Sequence, residues 1–284
     1  MNLYSLIQKR NATQGPIRVG VIGAGKFASM FLTQALNTEE IHVVGVADID
    51  VPKARGALQR TGWPAERYAA KNFAEALRNG TTFVTESSAD LIRLPDVEVI
   101  LEVTGNPIVG TAHAVQSIDN GKHIIMVNVE ADCMVGPILQ RRAEAAGVVY
   151  SMAYGDQPAL ICEMVDWCRT VGFDIVAAGK GTKYLPEYNY STPDTVWNYY
   201  GFSDEQLASG DFNPKMFNSF LDGTKSAIEM AAVANGTGLT PQDEGLFFPP
   251  AGVDDLPNVY REKSVGGILT RRGTVEIASS LNRD

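Results

Sequence analysis

The sequence is poor in cysteine and histidine, has no long apolar run and carries a deficit of positive charge, and each shortage removes a class of protein. Three cysteines, Cys133, Cys162 and Cys168, in 284 residues show no CxxC pairing and are too sparse for a disulfide scaffold, so they read as ordinary reduced side chains. Cys162 and Cys168 fall on different faces of one predicted helix, and His42, His113 and His123 do not cluster with them, which argues against a zinc site. No segment approaches the roughly 20 apolar residues of a membrane span, and the opening MNLYSLIQKRNATQGP has no signal-type apolar core. The expected location is the cytoplasm. With 24 Lys and Arg against 33 Asp and Glu, the net charge is -9. That balance opposes attraction to nucleic acid or an anionic membrane and leaves small molecules as the expected partners.

What is present reads as a folded α/β chain. Hydrophobic residues at 45% and charged residues at 20% are the proportions of globular domains, and the length favours two of them. Residues 17–23 (IRVGVIG) form a short β-branched run, followed by glycines and the helical spacing of KFASMFLTQALN. A second strand, IHVVGVAD, ends at Asp48, and Pro52 opens a helix that runs to Gly62. Further strands are expected at 82–85, 97–103, 123–129 and 148–152. Their near-continuous apolar character means sheet faces covered on both sides, the pattern of a doubly wound parallel sheet. The pattern changes after Tyr154, so we expect a dinucleotide-binding Rossmann domain over 1–154 and an α+β substrate and oligomerisation domain over 155–284.

The first domain carries Gly23-Ala24-Gly25-Lys26-Phe27-Ala28, a G-x-G-x-x-A loop between a predicted strand and helix. Gly23 permits the tight turn, Gly25 lets a pyrophosphate reach the helix N-terminus, and Ala28 allows close helix–strand packing. Asp48 lies 20 residues beyond Ala28, where a carboxylate meets the ribose hydroxyls. This favours NAD(H), but Lys53 and Arg55 are placed to hold a 2′-phosphate, so NADP(H) stays open. Val103-Thr104-Gly105-Asn106-Pro107 closes the fourth strand at the edge where a nicotinamide lies. Thr104, Gly105 and, after the fifth strand, Asn128 are therefore cofactor candidates, with Glu130 facing substrate.

In the second half a helix is expected at 157–171 and a strand at 174–179. The polar segment Gly179-Lys180-Gly181-Thr182-Lys183-Tyr184 brings two lysines to an anionic substrate, or forms a surface turn. NPKMFNSFLDGTKSAIEMAAVANGTG reads as one long helix from Pro214 to about Asn235. At about 100° per residue, Asn218, Asp222, Lys225 and Glu229 fall within about 60° of one another, opposite Phe217, Phe220, Leu221, Thr224 and Ile228. A lysine between carboxylates suits proton transfer to a carbonyl substrate; the same stripe also suits a solvated, ion-paired face.

These segments resemble a known family. VGVIGAGKFASMF, VNVEAD, YGDQPALICE, AAGKGTKY, STPDTVW, NPKMFNSFLDGTKSAIEM and NGTGLTP look like the 1-deoxy-D-xylulose 5-phosphate reductoisomerase-like proteins, relatives of the homoserine dehydrogenases. The resemblance implies a cytoplasmic, homo-oligomeric enzyme of isoprenoid precursor synthesis. It would rearrange a phosphorylated ketose and reduce it with NADPH, assisted by a divalent cation, Mg²⁺ or Mn²⁺. By similarity with homoserine dehydrogenases, Asp222 and Lys225 are the catalytic pair, with Lys183 as a third candidate. Lys180, Lys215, Asn218, Glu229 and Glu130 would contact substrate, and Glu102 and Asn128 the nicotinamide side.

Two departures stand out. Relatives commonly carry a lysine after the fifth strand, where this chain has Asn128-Val129-Glu130, so a catalytic lysine must come from the second domain. Relatives also continue into a further C-terminal domain, whereas this chain ends at Asn282-Arg283-Asp284, which reads as a truncated or short form. A homoserine or other hydroxy-acid or polyol dehydrogenase, and a non-catalytic nucleotide-binding protein, are the competing readings.

Overall fold

The computed structural model describes residues 2–209 and 212–280, which form two compact units, Met1–Ala153 and Tyr154–Asp284. The terminal Asn282-Arg283-Asp284 lie outside the described residues. The first unit runs α1 (Leu3–Gln14), β1 (Ile17–Ile22), α2 (Lys26–Ala35), β2 (Ile41–Ala47), α3 (Val51–Arg60), α4 (Phe73–Asn79), β3 (Phe83–Thr85), α5 (Ser88–Arg93), β4 (Val99–Glu102), α6 (Pro107–Asp119), β5 (His123–Met126), α7 (Val129–Ala145) and β6 (Tyr150–Met152). Its six strands form one sheet in the order β3-β2-β1-β4-β5-β6, all parallel.

Both sheet faces are covered, as the unbroken apolar strands require. Val19, Val21, Val43 and Val46 pack with Leu32 and Leu58 in one cluster. Val44 and Ile100 pack with Ala76, Leu91 and Ile92 in another. Ile124 and Met126 pack with Ala114, Ile118, Leu139 and Ala143. The strand order reverses between β1 and β4, so the loops after these two strands diverge and open a crevice at their carboxyl ends, the usual ligand position in such sheets.

The second unit contains α8 (Gln157–Thr170), β7 (Ala177–Thr182), α9 (Val196–Tyr200), α10 (Asp204–Ser209), α11 (Pro214–Leu221), α12 (Thr224–Thr237), α13 (Leu256–Val259) and β8 (Thr274–Ser279). β7 and β8 pair in parallel, and Val165, Met230, Val233, Leu239, Val275 and Ile277 form the core beneath them. The strand expected at 174–179 therefore lies three residues later. It takes in Gly179-Lys180-Gly181-Thr182, expected to be an irregular polar segment, because the β8 partner overrides the weak strand preference of glycine. A Cβ at Gly179 would stand 1.7 Å from the Glu276 carbonyl oxygen, so only glycine permits this approach of the two strands.

The long helix expected over 214–235 is two helices. α11 ends at Leu221, and Gly223, with φ 88°, occupies the left-handed region that opens α12. Asp222 holds the break: its Oδ1 accepts from Thr224 N at 2.9 Å and its Oδ2 from Asn218 Nδ2 at 2.9 Å. The aromatic side of α11 packs as expected of an amphipathic helix, with Phe217 5.2 Å from both Trp197 and Tyr200 between ring centroids.

Glu276 is buried in β8, where Oε1 accepts from Phe247 N at 3.0 Å and Ile277 N at 2.9 Å, while Oε2 has no partner. Burial raises its carboxyl above the ordinary value, against the lowering effect of the backbone N–H groups of Ile277, Phe247 and Phe248. A carboxyl whose pKa is higher folded than unfolded costs stability as pH rises through that interval. Glu276→Gln keeps the accepting oxygen and removes the charge. It is expected to raise the thermal midpoint by a few degrees at neutral pH and to have no effect in acid below the ordinary carboxylate pKa, as melting curves at the two pH values will show.

Candidate functional site

The glycine loop has the geometry its sequence demands. Gly23 leaves β1 at φ 106°, and a Cβ there would meet the Val103 carbonyl carbon at 2.9 Å and the Thr104 nitrogen at 3.0 Å. Ala28 is fully buried against the sheet. Gly25 begins α2 without a capping side chain, whereas α3, α4, α5, α6 and α7 are capped by Asp50, Asn72, Ser87, Asn106 and Asn128. A Cβ at Gly25 would meet nothing within 4 Å. The first N–H groups of α2 are thus approachable and uncapped, which fits the pyrophosphate of a dinucleotide.

Lys26 and Phe27 form the first turn of α2. Lys26 is exposed, but Phe27 packs partly into the core, so it builds the loop's floor. Asp48 follows β2 directly, with Oδ2 accepting from Ala24 N at 2.7 Å and Oδ1 from Asp50 N at 2.9 Å. It braces the glycine loop, and each oxygen keeps a lone pair for a ribose hydroxyl. Arg55 Nη1 donates to the Tyr68 carbonyl at 3.3 Å, and Lys53 is exposed on α3.

At the next strand edge, Thr104, Gly105 and Asn106 are exposed, as a cofactor-facing turn requires. Glu102 and Asn128 differ from expectation. Glu102 is completely buried and Asn128 nearly so, and their side chains bond to each other at 3.2 Å. Neither side chain is presented to a nicotinamide; both are drawn inward because a buried carboxylate requires nearby donors. Glu130 lies half-buried in the first turn of α7.

In the second unit the break between α11 and α12 gathers Asn218, Asp222 and Lys225. Asn218 is buried and bonded to Ser191 O and Asp222, so it orients Asp222 and does not itself face a substrate. Lys225 lies half-buried in the first turn of α12. Tyr184, which sequence reasoning did not single out as a site residue, lies over this break: its ring stacks on Phe248 with centroids 4.3 Å apart, and a Cβ at Gly223 would meet both rings. Burial, then Tyr190 and the Asp222 carboxylate, raises the Tyr184 hydroxyl above its ordinary pKa. It is therefore a neutral hydrogen-bond donor beside Asp222. Lys183 precedes it, exposed, and Lys215 is exposed in the first turn of α11.

Lys180 and Glu229 are brought together, but as partners of each other. They form an ion pair from β7 to α12 with Glu229 buried, so the charge of Lys180 is balanced within the protein. The cavity of about 820 Å³ beside Lys180 is walled by Leu160, Met164, Cys168, Leu256 and Tyr260. Lys180, Glu276 and Ser280 add polar groups to this mainly apolar lining. Among the described residues no group of three His, Cys, Asp or Glu side chains is placed to hold a metal ion. Among them, too, no helix is long and apolar enough to cross a membrane.

Comparison with known proteins gives one match in each unit. Residues 17–127 match the oxidoreductase family with an NAD-binding Rossmann fold, and residues 155–283 match the catalytic domain of oxidoreductase DRL. No curated protein sequence matches the chain. Among solved structures, a homoserine dehydrogenase from Thiobacillus denitrificans has a similar fold, with a TM-score of 0.53 and 18% identity over 82% of this chain and 51% of that one. The 1-deoxy-D-xylulose 5-phosphate reductoisomerase from Zymomonas mobilis in complex with NADPH gives a TM-score of 0.48 and 13% identity over 78% of this chain and 58% of that one. The chain thus spans little more than half the length of these two structures. The glycine loop, the strand order and the two matched regions give the chain a dinucleotide-binding Rossmann unit similar to those of that oxidoreductase family, followed by a unit similar to the catalytic domain of oxidoreductase DRL.

Proposed function

We propose that the enzyme is a reductoisomerase of the 1-deoxy-D-xylulose 5-phosphate type, which rearranges a phosphorylated ketose and reduces the resulting carbonyl. The observation carrying this reading is the match of residues 155–283 to the catalytic domain of oxidoreductase DRL. That span includes Asp222, Lys225, Lys183 and Tyr184. When bound, the reduced nicotinamide supplies the hydride. Asp222 accepts and returns a hydroxyl proton during the rearrangement, and Lys225 hydrogen-bonds the carbonyl oxygen and gives it a proton as the hydride reaches the carbon, regaining one from solvent. Tyr184, held neutral, donates to a substrate oxygen. With Lys180 neutralised by Glu229, Lys183 and Lys215 hold the phosphate.

The test is NADPH and NADH oxidation with 1-deoxy-D-xylulose 5-phosphate or aspartate semialdehyde, each with and without Mg²⁺. Oxidation with the sugar phosphate is expected. Oxidation with the semialdehyde alone would make the enzyme a homoserine dehydrogenase, and cofactor binding without turnover of either would reject both activities.

A further inference from the structure

We infer that Glu102 is a positioning residue for the nicotinamide end of the dinucleotide site, acting through the turn after β4 and the start of α7. Its carboxylate is fully buried at the end of β4, where an ion without partners would be untenable. Four donors converge on it. Thr104 Oγ1 donates to Oε1 at 2.6 Å and Thr104 N at 3.4 Å; His113 Nδ1, from α6, lies 3.2 Å from the same oxygen. Asn128 Nδ2 donates to Oε2 at 3.2 Å and to Asn106 O at 2.9 Å. His113 Nε2 lies 3.0 Å from Ser88 Oγ, at the start of α5.

Through Thr104, His113 and Asn128, one carboxylate therefore links the end of β4 to the middle of α6 and the N-cap of α7, and His113 extends the network to Ser88 at the start of α5. The space around it is closed on the α6 side: a Cβ at Gly110 would stand 2.6 Å from Asn128 Nδ2 and 2.9 Å from Glu102 Oε2. Glu102 touches no ligand. It sets the position of the exposed Thr104-Gly105-Asn106 turn, which lies at the sheet edge where the nicotinamide half binds. This rests on the dinucleotide assignment and is independent of the substrate.

Glu102→Gln keeps the volume but replaces an all-acceptor group with one whose amide must face a donor. Loss of charge-assisted bonds is expected to weaken NADPH and NADH binding by about tenfold. ADP-ribose, which lacks the nicotinamide, should weaken by less than about twofold, as binding titrations by calorimetry would register. Ile118→Val, a trim of the core in the same unit, should lower the melting temperature and leave both affinities unchanged. Gly110→Ala, which retains every hydrogen-bonding group and only displaces Glu102 and Asn128, should reproduce the selective loss, and it decides the matter if Glu102→Gln does not fold. Unchanged dinucleotide affinity in the folded variants, or equal weakening of ADP-ribose, would overturn the assignment.

Discussion

Lys225→Ala is expected to lower kcat by about a thousandfold with a much smaller change in KM, because a donor to a developing oxyanion acts in the transition state more than in the ground state. Asp222→Asn should lower kcat by about a hundredfold or more through loss of a proton acceptor. The introduced amide keeps an oxygen that accepts from Thr224 N, but a flip of the Asn218 amide to accept from its nitrogen gives up the Asn218 bond to Ser191 O, so a modest loss of stability accompanies the change. Melting temperatures within a few degrees of the parent would show that chemistry, and not folding, was lost. Unchanged turnover in both variants would remove Asp222 and Lys225 from the active site.

Gly23→Ala should have the largest effect on cofactor binding. The alanine would be held at φ 106° with its methyl 2.9 Å from the Val103 carbonyl carbon, both against backbone that cannot rotate away. Strain of this kind costs about 1–3 kcal/mol, and its relief moves the loop from beneath the pyrophosphate. Dinucleotide affinity is expected to fall by at least about a hundredfold, the equivalent of two charge-assisted bonds, together with a lower thermal midpoint. Gly25→Ala provides the contrast, for its Cβ enters open space. Affinity should fall there as well, since the methyl meets the approaching phosphate, but stability should barely change. Calorimetric binding and thermal melting of the two variants separate these effects.

The Rossmann unit was legible in the sequence because each rule there is local. Apolar β-branched runs gave the strands, the glycine spacing gave the turn into α2, and Asp48 followed from its distance along the chain. The second unit was less so. A glycine inside a helical pattern costs only about 1 kcal/mol, so the break at Gly223 was hidden by an amphipathic pattern that continues across it. Pairing of β7 with β8 joins segments far apart in the chain, Ala177 meeting Thr274, and so does not register in the composition of Gly179-Lys180-Gly181-Thr182. The Lys180–Glu229 pair depends on that pairing. Glu102 was placed correctly at a strand end, but the direction of its side chain depends on donors from α6 and α7. Helix α1 was missed although Asn2 caps it by accepting from Ser5 N at 3.1 Å, because its sequence has no clear apolar face.

The most direct measurement of the proposed reaction uses NADPH deuterated at the transferable C4 position, with 1-deoxy-D-xylulose 5-phosphate as substrate and mass analysis of the phosphorylated product. The expected result is a rearranged, reduced product carrying one deuterium on carbon. Consumption of the cofactor without deuterium in a phosphorylated product, or no consumption with this substrate, would contradict it.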